Sequence, residues 1–213
     1  MKKLITEHDV LELEKKGIRV LVKTRDTIIS PLALDRIRYS NFNILEKEEL
    51  PSEQIHQSNS NNKSFVKRIT IGSDHTGFRL KNIITKYLIE KGYLVNDIGT
   101  FDENSCDYPD FARLVAQKVA NKESDFGILI DATGIPSAIA ANKIKGIRAA
   151  TCYNAFSARS SRAHNNANVL VVGAKALGEE TIKIIIDEWL TTEFDGGRHQ
   201  NRLNKITEIE NEK

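Results

Sequence analysis

The sequence predicts an α/β protein whose larger part is a doubly wound parallel sheet of five strands. Between residues 66 and 191, short apolar runs typical of buried strands alternate with segments of helical periodicity. Strands that alternate with helices are joined by right-handed crossovers, which gives a parallel sheet with helices on both faces. We therefore expect a Rossmann-like layer. Because the first turn lacks the GxGxxG pattern, a dinucleotide is not its expected ligand. The five strands are predicted at 66–72, 93–99, 126–130, 147–152 and 169–173.

Helices are predicted between these strands wherever apolar residues recur at helical spacing. The clearest spans 78–91, with Leu80, Ile84 and Leu88 on its apolar side and Gly92 just beyond its end. Further helices are predicted at 111–120, 137–143, 157–164 and 179–191, followed by a last one that begins near residue 195 and runs to 210.

The first 45 residues predict a small α/β extension. Thr6 and Asp9 form an approximate capping box for a first helix, and Ser30 followed by Pro31 predicts the start of a second one. Strands are expected at 18–22 and 42–45. Residues 46–64 are rich in Ser, Asn and Gln without apolar periodicity, which predicts a flexible linker to a larger domain at 65–213.

Composition argues against several classes of function. The chain has 31 Lys and Arg residues against 29 Asp and Glu, so no general attraction to nucleic acid or to an anionic membrane is expected. No apolar run approaches the roughly 20 residues that span a bilayer, and the N-terminus lacks the apolar segment of a secretory signal. Cys106 and Cys152 form no metal-binding pattern. We expect a cytoplasmic protein with reduced thiols.

Several polar residues that often carry chemistry are predicted to lie along one edge of the sheet. Asp131 and Thr133 follow the third strand, directly before a helix, where α/β sheets bind ligands. Position alone leaves two interpretations of Asp131: a cap that orders the turn, or a reacting group. The others expected there are Asp74 and His75 after the first strand, His164 and Asn165 before the fifth, and Arg198, His199 and Arg202 at the last helix.

These side chains suit a phosphorylated sugar. Arg198 and Arg202 are four residues apart, so they share a helix face and can grip one anion. Asp74 and Asn165 can bind sugar hydroxyls, and His164 can transfer a proton near neutral pH. Each residue alone is more often only hydrogen-bonded or solvated, but their concentration in one place favours a site.

Seven segments, in one order along the chain, carry a resemblance to a known family. They are Ser73–Phe78, Asp107–Pro109, Thr133–Ile135, Ile139–Lys143, Gly146–Ala149, Ser161–Val169 and Gly196–Arg202. Together they resemble class B ribose-5-phosphate isomerase and, in the wider family, the galactose-6-phosphate isomerase subunits. The resemblance implies a Rossmann-like homodimer, or a dimer of dimers, with active sites shared between subunits. It also implies isomerisation of an aldose phosphate to its ketose through a cis-enediolate, without a metal or other cofactor.

The resemblance further implies a role for each matching residue. Asp131 stands where the family removes the C2 proton, Thr133 transfers a proton between the oxygens, and His164 assists ring opening. Backbone N–H groups of the loop around Gly134 would stabilise the enediolate. Substrate binding falls to Asp74, His75, Tyr108, Gly134, Asn165, Arg198 and Arg202, of which His75 and the arginines hold the phosphate, the arginines coming from the partner subunit.

The loop departs from the family pattern at its centre. Typical members carry Cys-Gly-Thr-Gly-Ile-Gly, with the Cys as base, where this chain has Asp-Ala-Thr-Gly-Ile-Pro from Asp131 onwards. The Asp-Ala pair resembles one galactose-6-phosphate isomerase subunit, and Pro136 removes one N–H donor. Two hypotheses stay open. The chain is an active isomerase, with ribose 5-phosphate the favoured substrate and Asp131 the base, or it is a sugar-phosphate-binding paralogue with weak or no activity and a structural or partner-binding role.

The extension carries a separate, shorter resemblance. Residues 3–10 and 27–33 resemble N-terminal segments of ethanolamine-utilisation and related bacterial microcompartment proteins. This implies that the extension binds a shell or core protein and places the enzyme in a microcompartment lumen. Packing of the extension on the dimer, or an inert extension, are the alternatives.

Overall fold

Residues 3–15, 20–24, 27–40, 42–47 and 66–212 are described by a computed structural model. The chain divides into two units, Met1–Ser64 and Phe65–Lys213. No helix among the described residues is long and apolar enough to cross a bilayer. Of the predicted linker, residues 48–64 lie outside the described part of the chain.

The N-terminal unit consists of two successive β-α-β segments. Each strand of the first segment pairs with a strand of the second. Strand β1 pairs in parallel with β3, and β2 pairs in parallel with β4. The sequence did not predict β1 or β3, because a strand of three residues is too short to show alternation. The elements are β1 (Lys3–Ile5), α1 (Glu7–Lys15), β2 (Val20–Thr24), β3 (Thr27–Ile29), α2 (Pro31–Tyr39) and β4 (Asn43–Lys47).

Both helices of this unit begin at the predicted caps. The Asp9 carboxylate accepts the Thr6 N–H at 2.8 Å, and the Thr6 hydroxyl oxygen lies 3.4 Å from the Asp9 nitrogen that donates to it. At the second helix, the Ser30 hydroxyl accepts the Ala33 N–H at 3.2 Å, with Pro31 as the first helical residue. A small core holds the unit together, formed by Ile5, Val10, Leu21, Ala33, Ile37 and Phe42.

The larger unit is the predicted doubly wound sheet. Its strands run in the order β6-β5-β7-β9-β8, all parallel, with helices in every connection. The prediction of a Rossmann-like five-stranded layer is confirmed. The elements are β5 (Arg68–Ser73), α3 (Phe78–Glu90), β6 (Leu94–Asp97), α4 (Tyr108–Ala120), β7 (Phe126–Asp131), α5 (Ile135–Ala141), β8 (Ala149–Thr151), α6 (Ala155–Ala163), β9 (Val169–Gly173), α7 (Glu179–Thr191) and α8 (Arg198–Asn211).

The central strands are buried on both faces, which explains their continuous apolar runs. Side chains alternate between faces along a strand. Ile128 and Ile130 of β7 therefore pack into a cluster with Trp189, whereas Leu129 packs into the opposite cluster with Val115.

The strand order places a crevice between the carboxyl ends of β5 and β7. Strand β5 leads outward to β6 on one side, and β7 begins the half of the sheet on the other side. Such a reversal is the topological switch point at which α/β sheets bind ligands. Asp74 follows β5 and Asp131 ends β7, so both lie at this crevice.

Candidate active site

Asp131 organises the loop that joins β7 to α5. Its residue surface is only 1% exposed. Oδ1 accepts the N–H groups of Thr133, at 2.8 Å, and Gly134, and Oδ2 accepts the N–H of Ser137 at 3.0 Å. Gly134 has φ +84°, a left-handed conformation suited to glycine, which lets the chain turn back over the carboxylate. A buried carboxylate is costly without hydrogen bonds, and these three donors offset that cost.

From Thr133 to Ser137, the N–H groups of this loop are engaged within it. Besides the three that donate to Asp131, the Ile135 N–H donates to the Thr133 hydroxyl at 3.3 Å, and Pro136 has none. The donors that the resemblance assigned to an enediolate thus serve Asp131 and Thr133 in this structure. Oδ2 of Asp131 accepts one N–H and retains room for a second hydrogen, since a carboxylate oxygen has two lone pairs.

Two hydroxyl groups support the loop from β8 and its following turn. Thr151 Oγ1 donates to the Gly134 carbonyl at 2.7 Å, and the Tyr153 hydroxyl donates to the Thr133 carbonyl at 3.0 Å. Neither residue was predicted from the sequence. The sequence did show that both residues lie at the carboxyl end of a predicted strand. That this strand, β8, ends near the loop follows only from the order of the strands in the sheet.

The turn after β5 forms the other side of the crevice. Asp74 is 8% exposed, and its Oδ1 accepts the N–H groups of Thr76 and Gly77, at 2.9 and 3.1 Å. Its own N–H donates to the Ile130 carbonyl at 3.3 Å, which holds the turn against the end of β7. Among the described residues, Asp74 Oδ2 has no hydrogen-bond partner, so it is open to a sugar hydroxyl.

His75 lies in the same turn and contacts the segment that leads into α4. Its Nδ1 lies 3.3 Å from both the backbone nitrogen and the carbonyl oxygen of Cys106, and 4.0 Å from the Cys106 thiol sulfur. Tyr108, the first residue of α4, follows in this segment and is partly buried. The structure therefore places Asp74, His75, Tyr108, Asp131, Thr133 and Gly134 at one edge, the carboxyl edge of the sheet.

The remaining predicted residues lie at the opposite edge, so the prediction of a single edge was wrong. Helix α6 runs back from the carboxyl end of β8 and is capped by His164 before β9 begins, which puts His164 and Asn165 at the amino edge. The Asp195 N–H donates to the Ala163 carbonyl at 2.9 Å and attaches the start of α8 there. A crossover helix runs antiparallel to its strands, so residues that follow a helix belong to the amino edge. At about 3.3 Å per residue, the length of β9 separates the two groups by roughly 13 Å.

The amino-edge group is a compact basic cluster. The rings of His164 and His199 stack with centroids 4.4 Å apart and planes 5° apart. His199 is buried, with Arg198 Nε 3.5 Å from its Nε2 and Arg202 Nη1 3.5 Å from its Nδ1. Burial lowers the pKa of His199, and its neighbours His164, Arg198 and Arg202 lower it further against the opposing effect of Asp195. Such a cluster favours an anion.

Three of these side chains also have a spacing that a metal ion can bridge. His164, Asp195 and His199 each offer a ligand atom, and these atoms lie within 4.8 Å of one another. Two guanidinium groups beside the His199 ring oppose a cation by charge repulsion. The donor set therefore fits an oxyanion better than a metal.

Comparison with known protein families shows the class of protein to which this chain belongs. Residues 69–206 match the model of the Ribose/Galactose Isomerase family, and the chain belongs to that family. This confirms the predicted family and, at the level of enzyme class, an aldose–ketose isomerase of sugar phosphates. The match begins after the N-terminal unit.

The chain is similar to several proteins that are named ribose-5-phosphate isomerase B. The ribose-5-phosphate isomerase B of Escherichia coli K12 is 48% identical over 145 residues, 68% of this chain and 97% of that protein. The structure of ribose-5-phosphate isomerase B from Clostridium thermocellum has a TM-score of 0.68 at 50% identity, covering 68% of this chain and 98% of that one. The enzyme from Mycoplasma genitalium with bound ribulose-5-phosphate has a TM-score of 0.66 at 44% identity, covering 68% and 97%.

Proposed function

We propose that this chain interconverts ribose 5-phosphate and ribulose 5-phosphate at sites shared between the subunits of a homodimer or tetramer. The observation that carries the proposal is the division of the site residues between opposite edges of one sheet. The carboxyl edge holds the carboxylates that suit a sugar, and the amino edge holds the basic cluster that suits its phosphate. A second copy, with its amino edge against the first copy's carboxyl edge, completes the site. The names of the relatives, one of them with ribulose-5-phosphate bound, support the pentose.

Exposed apolar side chains near the loop support a subunit contact. Ile135 and Ile139 on α5 are 52% and 57% exposed, and Phe156 on α6 is 77% exposed. These helices start at the carboxyl edge, where the second copy is required. Exposed large apolar side chains favour a subunit contact there, because their burial removes apolar area from water.

In the proposed reaction, Asp131 is the base. Its Oδ2 takes the proton from C2 of the open-chain aldose and returns it to C1, while the Thr133 hydroxyl passes a proton between the two oxygens. Asp74 binds a substrate hydroxyl through Oδ2. The basic cluster contributed by the second copy binds the phosphate through its arginines, together with His75, and its histidine at position 164 assists ring opening.

A second candidate function is favoured by the loop itself. Three backbone N–H groups hold Asp131 as a cap, and the loop donors that would stabilise an enediolate are already engaged. This arrangement also suits a paralogue that binds a sugar phosphate with little or no turnover.

Complementation between variants tests the shared site. Asp131→Asn alters the carboxyl edge and Arg202→Ala the amino edge, so each homo-oligomer is expected to be inactive on ribose 5-phosphate. Co-expression restores one intact site per mixed dimer, and random pairing then gives about a quarter of wild-type activity. Full activity of Arg202→Ala alone would contradict the shared site. If wild type turns over neither ribose 5-phosphate nor galactose 6-phosphate but binds one of them by calorimetry, the binding function stands instead.

We infer a separate role for the N-terminal unit, which is to bind a shell or core protein of a bacterial microcompartment. Leu4 and Ile28 are 56% and 47% exposed and lie opposite each other on β1 and β3, and Leu32 on α2 is also exposed. These apolar side chains support a partner contact. The full chain, a chain lacking residues 1–64 and the Leu4→Ser/Ile28→Ser variant are co-expressed with microcompartment proteins. Only the full chain should co-purify with the compartments, and equal recovery of all three would remove the idea.

A further inference from the structure

We propose that Tyr153 is a positioning residue for Asp131, because its hydroxyl fixes the orientation of the peptide between Thr133 and Gly134. This inference deepens the proposed isomerase function and rests on it for its kinetic consequence. Its structural content concerns the loop alone. The hydroxyl donates to the Thr133 carbonyl at 3.0 Å, on the far side of the same peptide whose N–H donates to Asp131.

The orientation of that peptide decides what Asp131 faces. In the observed state the Gly134 N–H points at Oδ1, where it joins the Thr133 N–H. A flip of the peptide would turn the N–H away and bring the Thr133 carbonyl toward the carboxylate. Two acceptors would then face each other beside a buried carboxylate, which is costly because the carboxylate loses one of its three donors and the carbonyl gains none. A donor on the carbonyl, such as the Tyr153 hydroxyl, favours the observed orientation.

The loop needs such a constraint because its backbone is permissive. Gly134 lacks a Cβ and has φ +84°, so several orientations of its flanking peptides are sterically accessible. The next carbonyl, that of Gly134, is held in a similar way by Thr151 Oγ1 at 2.7 Å. Two successive carbonyls are thus held by hydroxyl groups from β8 and its following turn, while the N–H of the first of these peptides donates to Asp131 and that of the second donates to the Thr133 hydroxyl.

Tyr153 is itself anchored at the start of α6. Its backbone N–H donates to the Ser157 hydroxyl at 3.2 Å, and Asn154 forms the capping box of that helix with Ser157. The hydroxyl of Tyr153 is therefore presented from a fixed backbone rather than from a free loop. This explains how a side chain that is 41% exposed can hold the peptide in one orientation.

The test replaces Tyr153 by Phe, which keeps the ring and removes only the hydroxyl. We expect kcat for ribose 5-phosphate to fall about five-fold with KM unchanged, and exchange of the Gly134 amide hydrogen, followed by NMR, to quicken about five-fold, the equivalent of one hydrogen bond. Thr151→Val should act in the same direction. Tyr87→Phe is the matched control, since it removes a hydroxyl that donates to Asp187 at 2.7 Å between α3 and α7.

The outcomes separate the two levels of the proposal. Unchanged Gly134 exchange in Tyr153→Phe overturns it, whatever the activity. Faster exchange with unchanged kcat limits Tyr153 to a structural role and overturns the kinetic consequence. If wild type shows no turnover, the isomerase proposal fails, and the Gly134 amide still decides whether the hydroxyl holds the peptide. A similar loss of melting temperature in Tyr153→Phe and Tyr87→Phe, with Gly134 exchange unchanged in both, also contradicts the proposal.

Discussion

Replacement of Asp131 by Asn distinguishes whether this residue acts as the catalytic base or only as a cap of the loop. The amide keeps one oxygen, which can still accept the N–H groups of Thr133 and Gly134. At the position of Oδ2 it places an NH₂ group, 3.0 Å from the Ser137 nitrogen whose N–H now points at another donor. The substitution therefore changes both the chemistry of the side chain and the stability of the loop.

The size of the stability change follows from the three hydrogen bonds. Hydrogen bonds to a charged group contribute about 1 kcal/mol more than neutral ones, so two weakened bonds cost roughly 2 kcal/mol. The lost bond, with a buried donor left unpaired, costs roughly another 2 kcal/mol. For a chain of this size, a total of about 4 kcal/mol lowers the melting temperature by roughly 10 °C.

The kinetic change has a different cause. Loss of a general base lowers kcat by about 10² to 10⁴-fold. We expect KM to stay within a few-fold, because the residues proposed to bind phosphate are untouched. The assay follows ketose formation from ribose 5-phosphate well below the melting temperature of the variant, which keeps the folded fraction constant.

Two results would refute the reasoning. If kcat of Asp131→Asn stays within about ten-fold of wild type while the melting temperature falls, Asp131 is a cap and not the base. If the melting temperature is unchanged, the hydrogen bonds of the loop do not contribute as argued. Asp131→Cys serves as a control. It supplies the base typical of the family and should be more active than Asp131→Asn, yet it lacks the carboxylate acceptors and should also melt early.

Three further predictions concern other parts of the larger unit. The pKa of His199 is lowered from its usual 6.5, so this residue binds a proton more readily in the unfolded chain than in the folded one. The free energy of unfolding therefore keeps its full value above pH 6.5 and decreases as the pH falls below it. The melting temperature of His199→Gln should depend less on pH in this range, whereas a control at the exposed His8 should not differ from wild type. Cys106 is partly exposed, whereas Cys152 is buried and burial raises its thiol pKa, so a thiol reagent should label Cys106 first in the native protein. A Cβ added at Gly173 would lie 2.6 Å from the backbone of the loop, so Gly173→Ala should lower both the melting temperature and kcat, and unchanged values would show that the loop can shift.

Much of the fold was accessible from the sequence because its cause is local. Continuous apolar runs predicted the five strands, and apolar spacing predicted the helices between them. Helix caps such as Ser30 could be predicted from the sequence because the capping group and its target are three residues apart. The short strands β1 and β3 were missed, since their pairing partners lie about 24 residues away and each is only three residues long.

The prediction that all site residues lie at one edge of the sheet was wrong because it did not take the direction of the chain into account. His164 and Asn165 were grouped with Asp131 because all lie near strand ends. Their place after a helix and before a strand puts them at the amino edge of the sheet, since the helix carries the chain back across it. The site residues were predicted from their chemistry, whereas their arrangement at the two edges depends on the path of the chain.

The sequence by itself determined the fold class and the family, and it predicted the residues that would bind a sugar phosphate, because periodicity, motif order and side-chain chemistry are properties of the chain. Only the tertiary structure decided how those residues are divided between the two edges of the sheet. It also showed the bonds that Asp131 makes with three backbone N–H groups, and the hydroxyl groups of Thr151 and Tyr153 that hold two carbonyls of the same loop. These contacts depend on strand order and on the direction of single peptide groups, which no local pattern in the sequence specifies.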